Sequence, residues 1–428
     1  MDCLIIMIIT YREVEMKNII FIIFLSISGV SLGFAQEQSE EPRKITIIHA
    51  GTLMAVAGED TLSEQSIIVE DGKIIDVTAS YVSEIDDADV TIVDLSDKFV
   101  MAGLMDMHVH LAMSRGPGKN AADAALAGVS NAYKTLMVGF TTVRDLGATD
   151  DTIFKLRKAI NDGDVIGPRV LSAGSIIGVG GRSNGKECNG VESCRKTTRD
   201  MITGGGDWIK IYSSCSGGQL CSNKDGAAMF FDDEIKAITD VAKKYDVKVA
   251  AHSHPTASAH QVLGYGVSSI EHGSFIDEAA MDIMIRDGVY YVPTVAVMDL
   301  LETVLEEGDR PAEMLAHDQS FYDNNPPNIF KAYQRGVKIA TGTDAGVVPH
   351  GKNYREVERF VELGMTNADA LKAGTINSAD LIDKSDELGT IEVGKIADII
   401  AVSGNPLTEI KDIENIVFVM KDGRVYKD

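Results

Sequence analysis

The chain has 428 residues, 45% of them hydrophobic and 24% charged, at a mean hydropathy of +0.02. That composition is globular and excludes a disordered or collagen-like chain. With 64 acidic against 40 basic residues the net charge is −24, which repels phosphate backbones and anionic headgroups, so no nucleic-acid partner is expected.

The first element is a leader. In "MKNIIFIIFLSISGVSLGFAQ", Lys17 precedes an apolar run from Ile19 through Leu32, and Gly33-Phe34-Ala35 puts small residues at the −3 and −1 positions of a cleavage site. Residues 1–35 therefore read as a signal-peptide region. Asp2, Glu13 and Glu15 do not suit a positively charged leader start, which puts the true start at Met16. The run is short of the about 20 residues a spanning helix needs, so cleavage and export to the periplasm or outside are expected, without stable membrane insertion. Beyond the leader lie Cys188, Cys194, Cys215 and Cys221. Export favours two local disulfides, Cys188 to Cys194 and Cys215 to Cys221, over free thiols.

From Lys44 to Val100, short β-branched runs alternate with turns, and Asp71-Gly72 between two of them is a hairpin signal. "GKIADIIAVSG" and "IVFVMKDGRVYKD" repeat the pattern with Asp422-Gly423. Residues 43–102 and 386–428 thus form one small β-sandwich domain from both ends. Between them, residues 103–385 alternate strands and helices as a parallel α/β sheet does. Eight strands are predicted: "GLMDMHVHL", "TTVRDL", "PRVLSAG", "WIKIY", "KVAAHS", "SIEHGS", "YYVPTV" and "KIATGTDAG". The fold class is α/β, a TIM-like (β/α)8 barrel with an added β domain. The Gly-rich "SIIGVGGRSNGKECNG" and the region from Asp299 to Gln334 are candidate lids over the strand ends.

Metal-binding residue types gather at the C-terminal ends of these strands, where barrel enzymes place their sites. His108 and His110 are two apart on one strand, on the same side and roughly 6.6 Å apart. His252 ends the fifth strand, His272 the sixth and Asp344 the eighth. One buried histidine usually satisfies a core hydrogen bond, but this set is hard to explain as packing, because each unsatisfied buried polar group costs about 1–3 kcal/mol. Lys210, inside the fourth strand, must lose its charge or compensate it. It either pairs with Asp344 or, as the neutral amine, takes up carbon dioxide to form a carbamate.

These motifs resemble the amidohydrolase superfamily, in the branch of imidazolonepropionase-related proteins and Xaa-Pro dipeptidases. "AGLMDMHVHL", "WIKIY", "AAHSH", "IEHGS", "TGTDAG" and "LGTIEVGKIADIIAVSGNPL" carry the resemblance, from about Lys44 onward. It implies two divalent ions, zinc by preference: His108 and His110 with Asp344 around one, His252 and His272 around the other, and N-carboxylated Lys210 between. Imidazolonepropionases proper use one metal and lack that lysine, so Lys210 points to the dinuclear, dipeptidase-like branch. Asp344 is then the catalytic base, and hydroxide bridging the metals attacks the carbonyl.

Implied substrates are small peptides or N-acyl amino acids, ochratoxin-type amides among them, cleaved to release a C-terminal amino acid. Cyclic amides, lactones or phosphotriesters are the alternative within catalysis; an exported, non-catalytic ligand- or zinc-binding barrel is the alternative outside it. Candidate substrate contacts are Tyr212, two after Lys210; His254, two after His252; His350; and Arg144, for which pairing with Asp145 or another acid is the competing reading. His49, His260 and His317 read as surface or structural. The oligomeric state, including a homo-oligomer, stays open.

Overall fold

Each Asp-Gly pair makes a hairpin. The computed structural model describes residues 42–114, 119–179, 185–214 and 228–428; the leader, Cys215, Cys221 and residues 180–184 of the Gly-rich stretch lie outside them. The first strands are β1 (Arg43–Met54), β2 (Leu62–Glu70), β3 (Lys73–Ala79) and β4 (Ala88–Ala102). Asp71 and Gly72 join β2 to β3 with φ of 46° and 79°, the paired positive φ that a two-residue turn between twisted strands requires.

Both ends of the chain build one seven-stranded sheet. β14 (Ile399–Val402), β15 (Ile416–Lys421) and β16 (Arg424–Lys427) extend it in the order β16-β15-β14-β4-β1-β2-β3. The sheet curls until its far edge returns: Ile74 N donates to Lys395 O at 2.9 Å and Gly394 N to Ile74 O at 2.8 Å. Enclosed within are Ile48, Leu53, Ile67, Val100, Ile399 and Phe418, so one folded sheet supplies both faces of the sandwich. At the seam the two hairpin turns meet backbone to backbone. A Cβ on Gly423 would lie 2.6 Å from Gly72 Cα, so only glycine fits there.

The remaining strands are parallel, β5 (Leu104–Val109), β6 (Phe140–Asp145) and β7 (Arg169–Ser172) in one run. A second run comprises β8 (Ile177–Gly178), β9 (Lys186–Glu187), β10 (Trp208–Tyr212), β11 (Lys248–Ser253), β12 (Ser269–His272) and β13 (Tyr290–Val292). Asp207 N reaches Ser172 O at 2.8 Å between the runs. The segment predicted as the eighth strand closes the ring through isolated bridges rather than as a continuous strand: Tyr291 N donates to Lys338 O and Met107 N to Thr341 O, each at 2.8 Å, and Val109 bridges Ala345. Crossover helices cover the outside. Helix Ala121–Met137, begun by an Asn120–Asp123 capping box, buries Ala124, Gly128, Ala132 and Leu136 at four-residue spacing, a narrow stripe that allows close approach to the barrel.

The region from Asp299 to Gln334 is helical, as Met298–Glu307 and Ala312–Arg335. The second helix runs through Pro326-Pro327, a pair that reads as a break in sequence; its buried face of Phe321, Asn325 and Ile329 keeps it continuous. Asp299 accepts from Arg355 at 2.8 Å and from Arg359 at 2.7 Å, fixing the first helix to helix Tyr354–Glu362. Cys188 and Cys194 are bonded to each other. Among the described residues no helix is long and apolar enough to cross a membrane.

Candidate metal centre

Three successive strand ends carry residues that L amino acids rarely tolerate. His272, Thr294 and Asp344 have φ of 70°, 54° and 58°, each costing about 1–3 kcal/mol unless the surroundings hold it. The conformation changes what strict alternation allows. Glu271 and His272 are consecutive, yet Glu271 Oε2 lies 2.8 Å from His108 Nδ1 and the His272 ring 4.9 Å from the His108 ring. Thr343 and Asp344 repeat the device: Thr343 Oγ1 donates to Asp106 at 2.6 Å, while Asp344 Oδ1 stands 3.1 Å from His110 Nε2.

Every outer ring nitrogen with a partner in this cluster is committed away from the centre. His110 Nδ1 meets Gly147 O at 2.7 Å, His272 Nδ1 meets Thr294 Oγ1 at 2.8 Å and His254 Nδ1 meets Ser274 Oγ at 2.9 Å. Such bonds fix ring orientation and tautomer, leaving the other nitrogen's lone pair inward. Burial, with the Lys210 charge, brings His108 down to about 4; burial brings His254 to about 3 and His272 well below its ordinary value. These rings are neutral imidazoles at neutral pH, the form that binds metals. Burial pushes Glu271 up, but Arg144 and the His108 hydrogen bond outweigh it and hold the carboxylate down to about 2.

The inward ring nitrogens and carboxylate oxygens converge on one another. Donor atoms of His108, His272 and Asp344 lie within 4.8 Å of one another, as do those of His252, His254 and His272. Asp344 Oδ1 and Lys210 Nζ are buried without a hydrogen-bond partner. Desolvation lowers Lys210 to about 8, which makes the neutral amine accessible. Lone pairs facing one another across a buried centre suit divalent cations, and the imidazole and carboxylate donors suit zinc. The residues present therefore fit the metals.

All six predicted ligand residues meet here, and His254 joins them instead of standing apart. Its signal was the second His-x-His, in "AHSHP". Tyr212 stacks on His252 with centroids 4.1 Å apart and lines the same cavity. Two candidates do not face substrate. Arg144 is fully buried, donating to Met107 O at 2.6 Å and Glu271 at 2.9 Å and lying 4.4 Å from the Trp208 ring centroid; the pairing acid is Glu271, not Asp145. His350 bonds Thr135 Oγ1 at 3.0 Å and the His110 carbonyl at 3.3 Å, behind the ligands. His49 binds Val82 O and the half-buried His260 binds Asp277. His317 is buried, 3% exposed, beside Phe321, so for it the surface reading fails.

Sequence reasoning missed three buried carboxylates. Glu271 orients His108. Asp106 accepts from the backbone NH of His108 and Thr343 and from Asn353, and it shares the alternation of His108 and His110, which was a usable signal. Glu356 accepts from Val295 and Ala296 NH, pinning the turn beyond Thr294, and nothing local marked it.

Above the centre lies a cavity of about 450 Å³, room for a small amide. The lid helices supply Met298, Leu301 and Phe321 as apolar wall and Arg310, Asp318 and Asn325 as polar groups.

The amidohydrolase family model matches residues 99–426. An ochratoxinase from Aspergillus niger is 29% identical over 438 residues, which take in 91% of this chain and 88% of its own; its crystal structure superposes with a TM-score of 0.80. A Xaa-Pro dipeptidase with methionine bound in its active site superposes at 0.82 with 35% identity, over 90% of this chain and 100% of that one. An imidazolonepropionase from Thermoanaerobacter pseudethanolicus is 28% identical over 204 residues, 46% of this chain and 41% of its own.

Proposed function

Because the chain belongs to the amidohydrolase family, a hydrolytic enzyme of amide bonds, we propose that it cleaves small peptides or N-acyl amino acids and releases a C-terminal amino acid. His108, His110 and Asp344 would hold one divalent cation and His252 and His272, with His254 beside them, a second. The unpartnered, buried Lys210 Nζ is the observation that carries this reading. Its neutral nitrogen would add to carbon dioxide and lose a proton, giving a carbamate that supplies anionic oxygen donors to the centre. Two cations bound there supply the charge that acidifies a water and polarises the scissile carbonyl.

The chain's own residues do the rest. Asp344 is held ionised, since the His110 and His108 contacts outweigh the effect of burial. It takes the proton of the attacking water as the new C–O bond forms and returns it to the nitrogen as the C–N bond breaks. Tyr212, stacked on His252, closes one side of the cavity. Support for an amino-acid product comes from the similar dipeptidase, which holds methionine in its active site. Export belongs to the same proposal, supported by the leader at 16–35 and by the Cys188–Cys194 bond.

Asp344→Asn should lower turnover about 10²–10⁴-fold, measured on dipeptides and N-acyl amino acids against lactones and paraoxon. Exclusive activity on the last two would reject the amide reading. Less than one metal per wild-type chain after purification without chelator would reject the metal centre.

A further inference from the structure

The metal end of the cavity accounts for the scissile bond, but the lid end holds a charged group that the chemistry does not use. Arg310 lies in the turn between helices Met298–Glu307 and Ala312–Arg335 and is the only guanidinium among the described residues lining the cavity. Its Nη1 donates to Asp318 Oδ2 at 2.9 Å. Asp318 side-chain exposure is 4% and that of Arg310 36%, so the carboxylate is fixed below and the guanidinium stands partly open above it. One bond leaves most of the five guanidinium donors uncommitted to Asp318.

We propose that Arg310 forms a subsite for the free carboxylate of the substrate's C-terminal amino acid, with Asp318 positioning the guanidinium. Two observations converge on that ligand. The cavity presents a carbonyl-polarising end and, across the apolar Met298, Leu301 and Phe321, a planar cation suited to bidentate carboxylate binding. A chain of net charge −24 that repels anions in bulk needs a local cation to retain an anionic substrate.

The inference rests on the amide-hydrolase reading, and matched substrate pairs separate the two. Wild type, Arg310→Gln, Arg310→Lys and Asp318→Asn are compared, metal-loaded, on an N-acyl amino acid and on its carboxamide. Metal content and melting temperature of each variant report folding. Arg310→Gln should raise KM for the free acid about 10–100-fold, with a smaller change in kcat, and its loss on the acid should exceed that on the carboxamide at least tenfold. Arg310→Lys should recover part of the loss, and Asp318→Asn should show a weaker version of it. Equal losses on both substrates, or no preference of the wild type for the acid, overturn the assignment of Arg310. Failure of wild type to cleave either amide overturns the functional reading and the subsite with it.

Discussion

His108 and His272 face each other across the centre, yet different chemistry aims them. His108 gives its outer nitrogen to Glu271, a carboxylate that Arg144 and Ser269 also hold, with Arg144 packed on Trp208. His272 gives its outer nitrogen to the hydroxyl of Thr294, and His254 to that of Ser274. One half is held by a buried ionic network, the other by neutral hydroxyls on strained backbone. A carboxylate partner raises the basicity of the imidazole more than a hydroxyl does, so in the proposed two-cation centre the His108 half would be the tighter position. Its hold is also the more fragile, since removing one member leaves charge buried and unpaired.

Glu271→Gln tests that asymmetry most severely. It strands Arg144, so urea denaturation should show a loss of about 3–5 kcal/mol, and metal titration a weakening of about 10–100-fold at one position. Both positions weakening together would break the comparison. Thr294→Val should be milder, costing about 1 kcal/mol and about tenfold in affinity at the other position; an effect as large as that of Glu271→Gln would show the hydroxyl to be no lesser anchor. A third test is acid sensitivity of the metal-free protein. His108 sits at about 4 when folded, against 6.5 for an ordinary histidine, so between these values the unfolded chain binds more protons. Stability present above pH 6.5 is then lost as pH falls toward about 4. A melting temperature that stays flat across that window would mean that His108 is not held neutral.

Seven barrel strands, the closing segment and the cluster of polar residues at their ends were legible because each rests on a local signal: apolar runs of strand length, with the polar groups at the ends where barrels open. The left-handed backbone at His272, Thr294 and Asp344 was not legible, because it is imposed by tertiary contacts such as Glu356 on the NH groups of Val295 and Ala296, some sixty residues away in sequence. Arg144 shows the same limit. Its sequence neighbour Asp145 is occupied by the NH groups of Leu111 and Gly147, and its true partner comes from a different strand. The lid was legible as a long insertion but not as helix, since Pro326-Pro327 carries the opposite local preference and burial decides against it.

The seam where Gly72 meets Gly423 sets an order of assembly. β2 and β3 emerge early during synthesis, but the sheet they belong to needs β14, more than three hundred residues later, before β4 gains its second neighbour. Until then the first half of the small domain exposes a strand edge and half a core, a state prone to pairing with other chains. The barrel sequence thus lies between the two halves of a clasp that cannot close before the last strands are made, and the two glycine turns are where it closes.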